Sequence, residues 1–278
     1  MNKPAVVLLG FVVAVGVVSA GGAWYTGKQL EPVLQTAIQN ANKELKTSMA
    51  GVDGTMALEL VSLERGVFSS TAHYRLKAQG AVFGEDNPNP ELLFVDHIEH
   101  GPLPLSRLVT LKWLPVMATS HYALEKNATT EKWFAAAKDV SPLKGVANIG
   151  YSLSVNGNVE LLPLAFKDDK SSVSFSGANL NFDSSAEGKK VKADGYMNSL
   201  KVAVVDANGS PFEAELAGLT VASNLEKSTF GFYTGQNTVE LTDTKLTMGP
   251  QKAVLTLKGF EQKDTSDTKD NNLAGRVD

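Results

Sequence analysis

From Thr55 to Phe260 apolar and polar residues take turns along short blocks. Blocks of that kind fold as half-buried antiparallel strands, because successive side chains on a strand point to opposite faces. In Phe68–Ala78 the residues Phe68, Ala72, Tyr74, Leu76 and Ala78 share one side. Ser69, Thr71, His73, Arg75 and Lys77 share the other. Met56, Leu58 and Leu60 repeat the pattern in Thr55–Leu63, and Leu92–Ile98 and Arg107–Trp113 read as further strands. Turn clusters at Glu85–Pro90 and Gly101-Pro102-Leu103-Pro104 cannot join strand interiors.

The second half continues in the same period. Tyr151–Val155 and Val159–Leu162 flank Asn156-Gly157, a pair suited to a type I′ hairpin turn, and Asn208-Gly209 marks another turn. Val173 and Phe175 are out of phase with Leu180 and Phe182, which predicts a bulge near Gly177. Phe230 and Phe232, Val239 and Leu241, Leu246 and Met248, and Leu255 and Leu257 prolong the alternation. Glu261–Asn272 is polar and reads as a flexible tail, after which Leu273–Val277 resumes a strand pattern as if cut off mid-pattern. Between the halves, Leu114–Val140 is rich in aromatics (Tyr122, Trp133 and Phe134, with Trp113 just ahead), and Thr130–Lys138 suggests a short helix with a threonine cap. The sum is a mainly β fold: an extended, curved antiparallel sheet forming a groove, sandwich or partial barrel, with a short helical insertion.

Two helical stretches precede the strands. In Lys28–Met49, Leu30, Val33, Leu34, Ala37, Ile38, Ala41 and Leu45 form one apolar stripe, and Gly51 and Gly54 end the helix. The stripe suits packing on the chain's own sheet or pairing with a second copy. Ahead of it, Ala5–Ala23 carries no charge and, as a helix, would reach about 28 Å, close to the hydrocarbon thickness of a bilayer. Lys3 lies before the run, with Trp24, Tyr25 and Lys28 behind it. It reads as a membrane anchor, with a cleaved signal peptide ending near Val18-Ser19-Ala20 as the rival. Both readings place the rest of the chain across the membrane. Gly10 and Ala14, and Gly16 and Ala20, are spaced for close approach of two membrane helices. The expected organisation is an anchor over 1–25, an amphipathic helix or stalk over 26–54, and a β-rich domain over 55–278.

A formal net charge of −4 with dispersed charges gives no basic face for nucleic acid, and the chain has no cysteine for a disulfide, thiol chemistry or a thiolate metal site. No nucleophile elbow, phosphate-binding loop, dinucleotide fingerprint or zinc-protease helix occurs. The histidines are His73, His97, His100 and His121. His97 and His100 are three apart and on a strand point to opposite faces, so a shared metal would need a turn between them. His100, just before Gly101-Pro102, is better read as pinning that turn. Asp53, Glu64 and Asp96 form no pair that spacing places in acid–base geometry.

Two motifs stand together: Arg65-Gly66-Val67-Phe68-Ser69-Ser70, and His97-Ile98-Glu99-His100-Gly101-Pro102-Leu103-Pro104. With the membrane segment before them they resemble the R-G-x-F-S-S and H-G-P-L-P elements of the YdgA-like family of bacterial envelope proteins, a family of unknown function. The resemblance is specific over residues 1–115 and general beyond. It implies a single-pass inner-membrane protein with its bulk in the periplasm, which self-associates. It carries no catalytic residues and no cofactor, so Arg65, Gly66, Phe68, Ser69, Ser70, His97, His100, Gly101 and Pro102 are expected to be structural. Family members are longer than this chain. Three functions compete: a self-associating binding or scaffold module with envelope-protein partners, a lipid-binding or lipid-transfer groove, and a hydrolase built on His97, His100 or Ser69-Ser70.

Overall fold

A computed structural model describes residues 30–49, 51, 53–80, 89–167, 171–205, 210–229, 233–269 and 272–277. The expected anchor at Ala5–Ala23 and the Asn208-Gly209 turn lie outside these residues, as does most of the Glu85–Pro90 cluster. Among the described residues no helix is long and apolar enough to cross a membrane. The chain is mainly β, and its described strands pair antiparallel in the registers that position the side chains below. It divides into two compact units, 1–132 with 144–155 and 133–143 with 156–278.

The first unit holds α1 (Leu30–Ser48), β1 (Thr55–Arg65), β2 (Ser69–Gln79), β3 (Glu91–His100), α2 (Leu105–Val109), β4 (Ala118–Glu125) and most of β5 (Leu143–Ile149). The five strands pair in chain order as a meander. Local alternation decides the buried face. Ser70, Ala72, Tyr74, Leu76 and Ala78 of β2 meet Phe94, Asp96 and Ile98 of β3, then Ser120, Tyr122 and Leu124 of β4, all buried. The stripe on α1 is spent within the same unit: Leu34, Ala37, Ile38, Ala41 and Leu45 are buried, and the helix lies against β1. Asn42 fixes that contact. Its carboxamide donates to the Leu58 carbonyl at 2.9 Å and accepts the Leu58 N–H at 2.7 Å.

Arg107–Trp113 is not the strand its pattern suggests. Pro104 sets the backbone entering α2, and the Glu99 carboxylate takes the Ser106 N–H at 3.0 Å, favouring a helical turn there. Leu105, Val109, Leu111, Trp113 and Leu114 are left exposed.

The second unit holds α3 (Glu131–Ala136) in large part, β6 (Val155–Leu161), β7 (Leu164–Lys167), β8 (Ser171–Phe175), β9 (Ala178–Ser184), β10 (Lys190–Val205), β11 (Pro211–Lys227), β12 (Tyr233–Met248), β13 (Ala253–Lys269) and β14 (Asn272–Val277). The strands follow the order β6-β9-β10-β11-β12-β13-β14, with β8 beside β10 and β7 beside β8. The short helix at Thr130–Lys138 forms, but the Thr130 hydroxyl turns back from it, donating to the Glu125 carbonyl at 3.0 Å and accepting the Asn127 N–H at 2.9 Å. The expected turn at Asn156-Gly157 lies inside β6 instead. The chain turns earlier, where the Gly150 N–H donates to the Ser154 carbonyl and Leu153 takes φ 61°. Glu261–Lys269 is likewise no loose tail: it is the end of β13, paired to β12 and β14. Backbone partners on both sides hold a strand that its composition would not.

Near Gly177 the phase changes without a register shift. Phe175 pairs with Leu200 and Ala178 with Met197, three residues apart on each strand. The interruption runs on across the sheet, because Gly177, Asn198, Gly218, Thr242 and Gly259 occupy one row and the ladder skips every pair in it. Gly177, Gly218 and Gly259 have φ of 85°, 65° and 64°. A left-handed residue shifts the alternation by one position, and glycine takes that conformation without a Cβ clash. The change of parity occurs on the glycine-bearing β11 and β13 and also on β10, whose row residue Asn198 is not left-handed: Leu200 and Val202 are even but Val191 and Met197 odd; Ala214 and Leu216 even but Leu219 and Val221 odd; Leu255 and Leu257 odd but Phe260 even. The shift therefore keeps the apolar side chains named here on one face on both sides of the row. At Gly259 an added Cβ would meet nothing within 4 Å, so Gly259→Ala isolates the conformational cost. It is expected to lower stability by about 1–2 kcal/mol, read as a lower urea midpoint at unchanged slope.

Candidate functional site

The two sequence motifs meet in the first unit. The Arg65–Ser70 segment turns from β1 into β2 with the Gly66 N–H on the Ser69 carbonyl at 2.9 Å; a Cβ on Gly66 would stand 2.6 Å from that oxygen. The His100 N–H donates to the Phe68 carbonyl at 2.8 Å. The His100 Nδ1 lies 3.2 Å from the Val67 carbonyl, which can only accept, so Nδ1 carries the proton. Nε2 then accepts from the Ser70 hydroxyl at 3.1 Å. Beyond His100, the Gly101 N–H donates to the Met117 carbonyl at 2.7 Å, and the Pro102 carbonyl takes the Val116 N–H at 3.0 Å across a cis Gly101–Pro102 bond. Arg65 reaches Glu31 of α1 at 3.5 Å. Val67 and Phe68 are exposed while their carbonyls are spent on His100.

Ser70 and His100 have the relative placement of a nucleophile and a base, with the base oriented by a carbonyl. Ser70, however, is 2 % exposed, so no substrate reaches its oxygen. The arrangement ties the β1–β2 turn to the end of β3.

His97 is not part of this knot. It lies on the opposite face, directly across from His121 of β4. There the Ser106 hydroxyl donates to Glu99 at 2.5 Å and receives the His121 Nε2–H at 3.1 Å. Glu99, Ser106 and His121 thereby tie α2 to β3 and β4. Burial lowers the pKa of His121, with Glu99 raising it and His97 lowering it further. His73 contacts Glu125 at 3.0 Å. Arg107 joins Asn148 at 3.0 Å and the Leu114 carbonyl at 3.1 Å, and the Thr119 hydroxyl shares Asn148 at 3.1 Å. Among the described residues no three acidic or histidine side chains are placed to hold a metal ion.

Asp96 occupies the buried face of β3 between Ala72 and Tyr122 and accepts the Ser120 hydroxyl at 2.6 Å. Burial drives its pKa up to about 6 against the Ser120 bond, which lowers it. The Tyr74 and Tyr122 phenols are pushed upward by burial first and by the Asp96 charge second. These networks were hidden in the sequence, because they depend on strand register rather than spacing.

The second unit offers a surface. The rows Phe166–Val173–Val202–Ala214–Leu246–Leu255 and Leu164–Phe175–Leu200–Leu216–Thr244–Leu257 cross β7, β8 and β10 to β13 on one face. Among the described residues of β7 to β14 no hydrophobic side chain is buried, and Leu255 and Leu257 are 59 % and 48 % exposed. Contiguous apolar areas of this kind are uncommon on the surface of monomeric soluble proteins.

The model of a family described as "Bacterial protein of unknown function (DUF945)" matches residues 1–278. The chain belongs to this family. Protein YdgA of Escherichia coli K12 is 29 % identical over 272 residues, covering 96 % of this chain and 53 % of its own. The uncharacterized protein YihF of the same strain is 28 % identical over 158 residues, 56 % of this chain and 33 % of its own. An uncharacterized protein of Haemophilus influenzae is 28 % identical over 183 residues, 65 % of this chain and 48 % of its own. The chain thus spans about half the length of YdgA and a third of YihF. No solved structure matches it.

Proposed function

We propose that this DUF945 chain is a non-enzymatic module of the bacterial envelope, tethered through residues 5–23, whose second unit receives lipid acyl chains on the apolar face of β7 to β13. One observation carries the reading: the aligned phase shift keeps apolar side chains on one face on both sides of the glycine row in β10 to β13, yet among the described residues none of them is fully buried. Water against such a face costs about 25 cal/mol for each Å² of apolar area, and an acyl chain removes that cost without needing hydrogen bonds. The uncharged run Ala5–Ala23 supports the tether, and Lys3 ahead of it supports an orientation with the bulk of the chain in the periplasm. Pairing through the α1 stripe loses support, since that stripe is already buried.

Native mass spectrometry of the full chain, extracted from bacterial membranes in mild detergent, tests this. Phospholipid is expected to remain bound at fixed stoichiometry and to be lost from a Leu255→Asp, Leu257→Asp variant. A lipid-free dimer or larger species would put the scaffold reading in its place.

A further inference from the structure

The outer edge of β1 holds peptide groups that the sheet does not use. In an antiparallel pair, residues whose N–H and C=O point to the partner alternate with residues whose groups point away. Leu58 is of the second kind, because Asn42 takes both its N–H and its C=O from outside the sheet. Leu58 pairs with Leu76 and Leu60 with Tyr74, so Leu60, two residues on, turns its own N–H and C=O outward in the same way. The register then shifts at Val61, where a bulge leaves that side chain 49 % exposed. Here α1 and β1 enclose an open cavity of about 380 Å³, lined by Glu31, Gln35, Ile38 and Gln39 on one side and Leu60 to Leu63 on the other. The Asn42–Leu58 clamp lies beyond one end, and the Glu31–Arg65 ion pair near the other.

We propose that this groove receives an extended peptide segment of a partner protein, which adds to β1 as a further strand. Asn42 shows what the edge accepts: one carboxamide that donates and accepts at once. An extended peptide turns the N–H and C=O of every second residue to the same side, so one bound residue meets Leu60 as the Asn42 carboxamide meets Leu58. Gln35 and Gln39 add side-chain carboxamides for the far side of the peptide, and Ile38 and Val61 offer apolar contact to one of its side chains. An acyl chain has neither donor nor acceptor for Leu60. The site is therefore separate in place and chemistry from the lipid face of the second unit.

The full chain in detergent is panned against a phage-displayed random heptapeptide library, with depletion on a Leu60→Pro variant. Proline removes the outward N–H but leaves the ladder bonds of Ala57 and Glu59 untouched, a position where an edge strand tolerates it. Clones are expected that bind the parent protein at least tenfold more tightly than the variant, and whose synthetic peptides slow amide exchange at Leu60 at least tenfold. Gln39→Trp, on the exposed side of α1, fills the groove while keeping the Leu60 N–H. It should lose the same peptides, and it carries the comparison if Leu60→Pro fails to fold. Equal binding to parent and variants, protection confined to other strands, or no parent-specific clone would overturn the proposal.

Discussion

Gly101→Ala is expected to leave the first unit unable to fold. A Cβ at Gly101 would stand 2.0 Å from the Val116 carbonyl oxygen and 2.6 Å from that of Met117. Both are backbone atoms, so no rotamer change relieves the contact. Nor can the two segments part, since the Gly101 N–H is bonded to Met117 and the Pro102 carbonyl to Val116. Separating them would strand buried peptide groups and pull His100 from Val67 and Ser70. The combined cost exceeds about 4 kcal/mol, a large part of the stability of a typical domain. Far-UV circular dichroism and urea unfolding of the variant check this; a midpoint like that of the parent protein would sink it.

Asp96→Asn is expected to stabilise the protein, and the gain should depend on pH. In the folded chain the carboxyl titrates at about 6, raised from 3.8 by burial. Between those values the folded state holds the proton more than the unfolded state does, so stability falls as pH rises through that window and stays lower above it. The difference corresponds to about 3 kcal/mol. An asparagine keeps an oxygen for the Ser120 hydroxyl and carries no charge, so at pH 7 the variant should be more stable by about that amount. Below pH 4 the advantage should vanish. Urea unfolding of both proteins at pH 4 and pH 7 makes the measurement. An unchanged or lower midpoint at pH 7 would show that Asp96 is held ionised by its surroundings.

Much of the fold was legible because period-two alternation is a local signal. The strand at Phe68–Ala78 and the helix at Lys28–Met49 follow from it within a residue or two. The failures share another cause. Arg107–Trp113 has strand-like residues, but Pro104 and Glu99 fix a helical turn there. Asn156-Gly157 has turn chemistry, yet the chain had already turned at Gly150 to Ser154. The end of β13 is polar throughout and owes its form to its neighbours on both sides. At the motifs, the opposite facing of His97 and His100 follows from spacing alone. The Ser70–His100 bond does not, since it requires the β2–β3 register that sets Ser70 opposite Ile98. Asn42 gave no signal, because an exposed-looking asparagine in a helix reveals nothing of a strand edge beside it.

The row from Gly177 to Gly259 ties together the lengths of the strands it crosses. If one strand lost its residue in that row, plain alternation would keep its leucines on the same face, but each strand beside it would be left with one unmatched residue and the ladder beyond the gap would fall out of step. The neighbours would have to lose their residues with it. Loops can gain or shed residues singly, but insertions and deletions within these strands can be inherited only as a set. The sheet thus changes size in whole rows, and a sequence that lacks one of these glycines should lack the corresponding residue on the strands beside it.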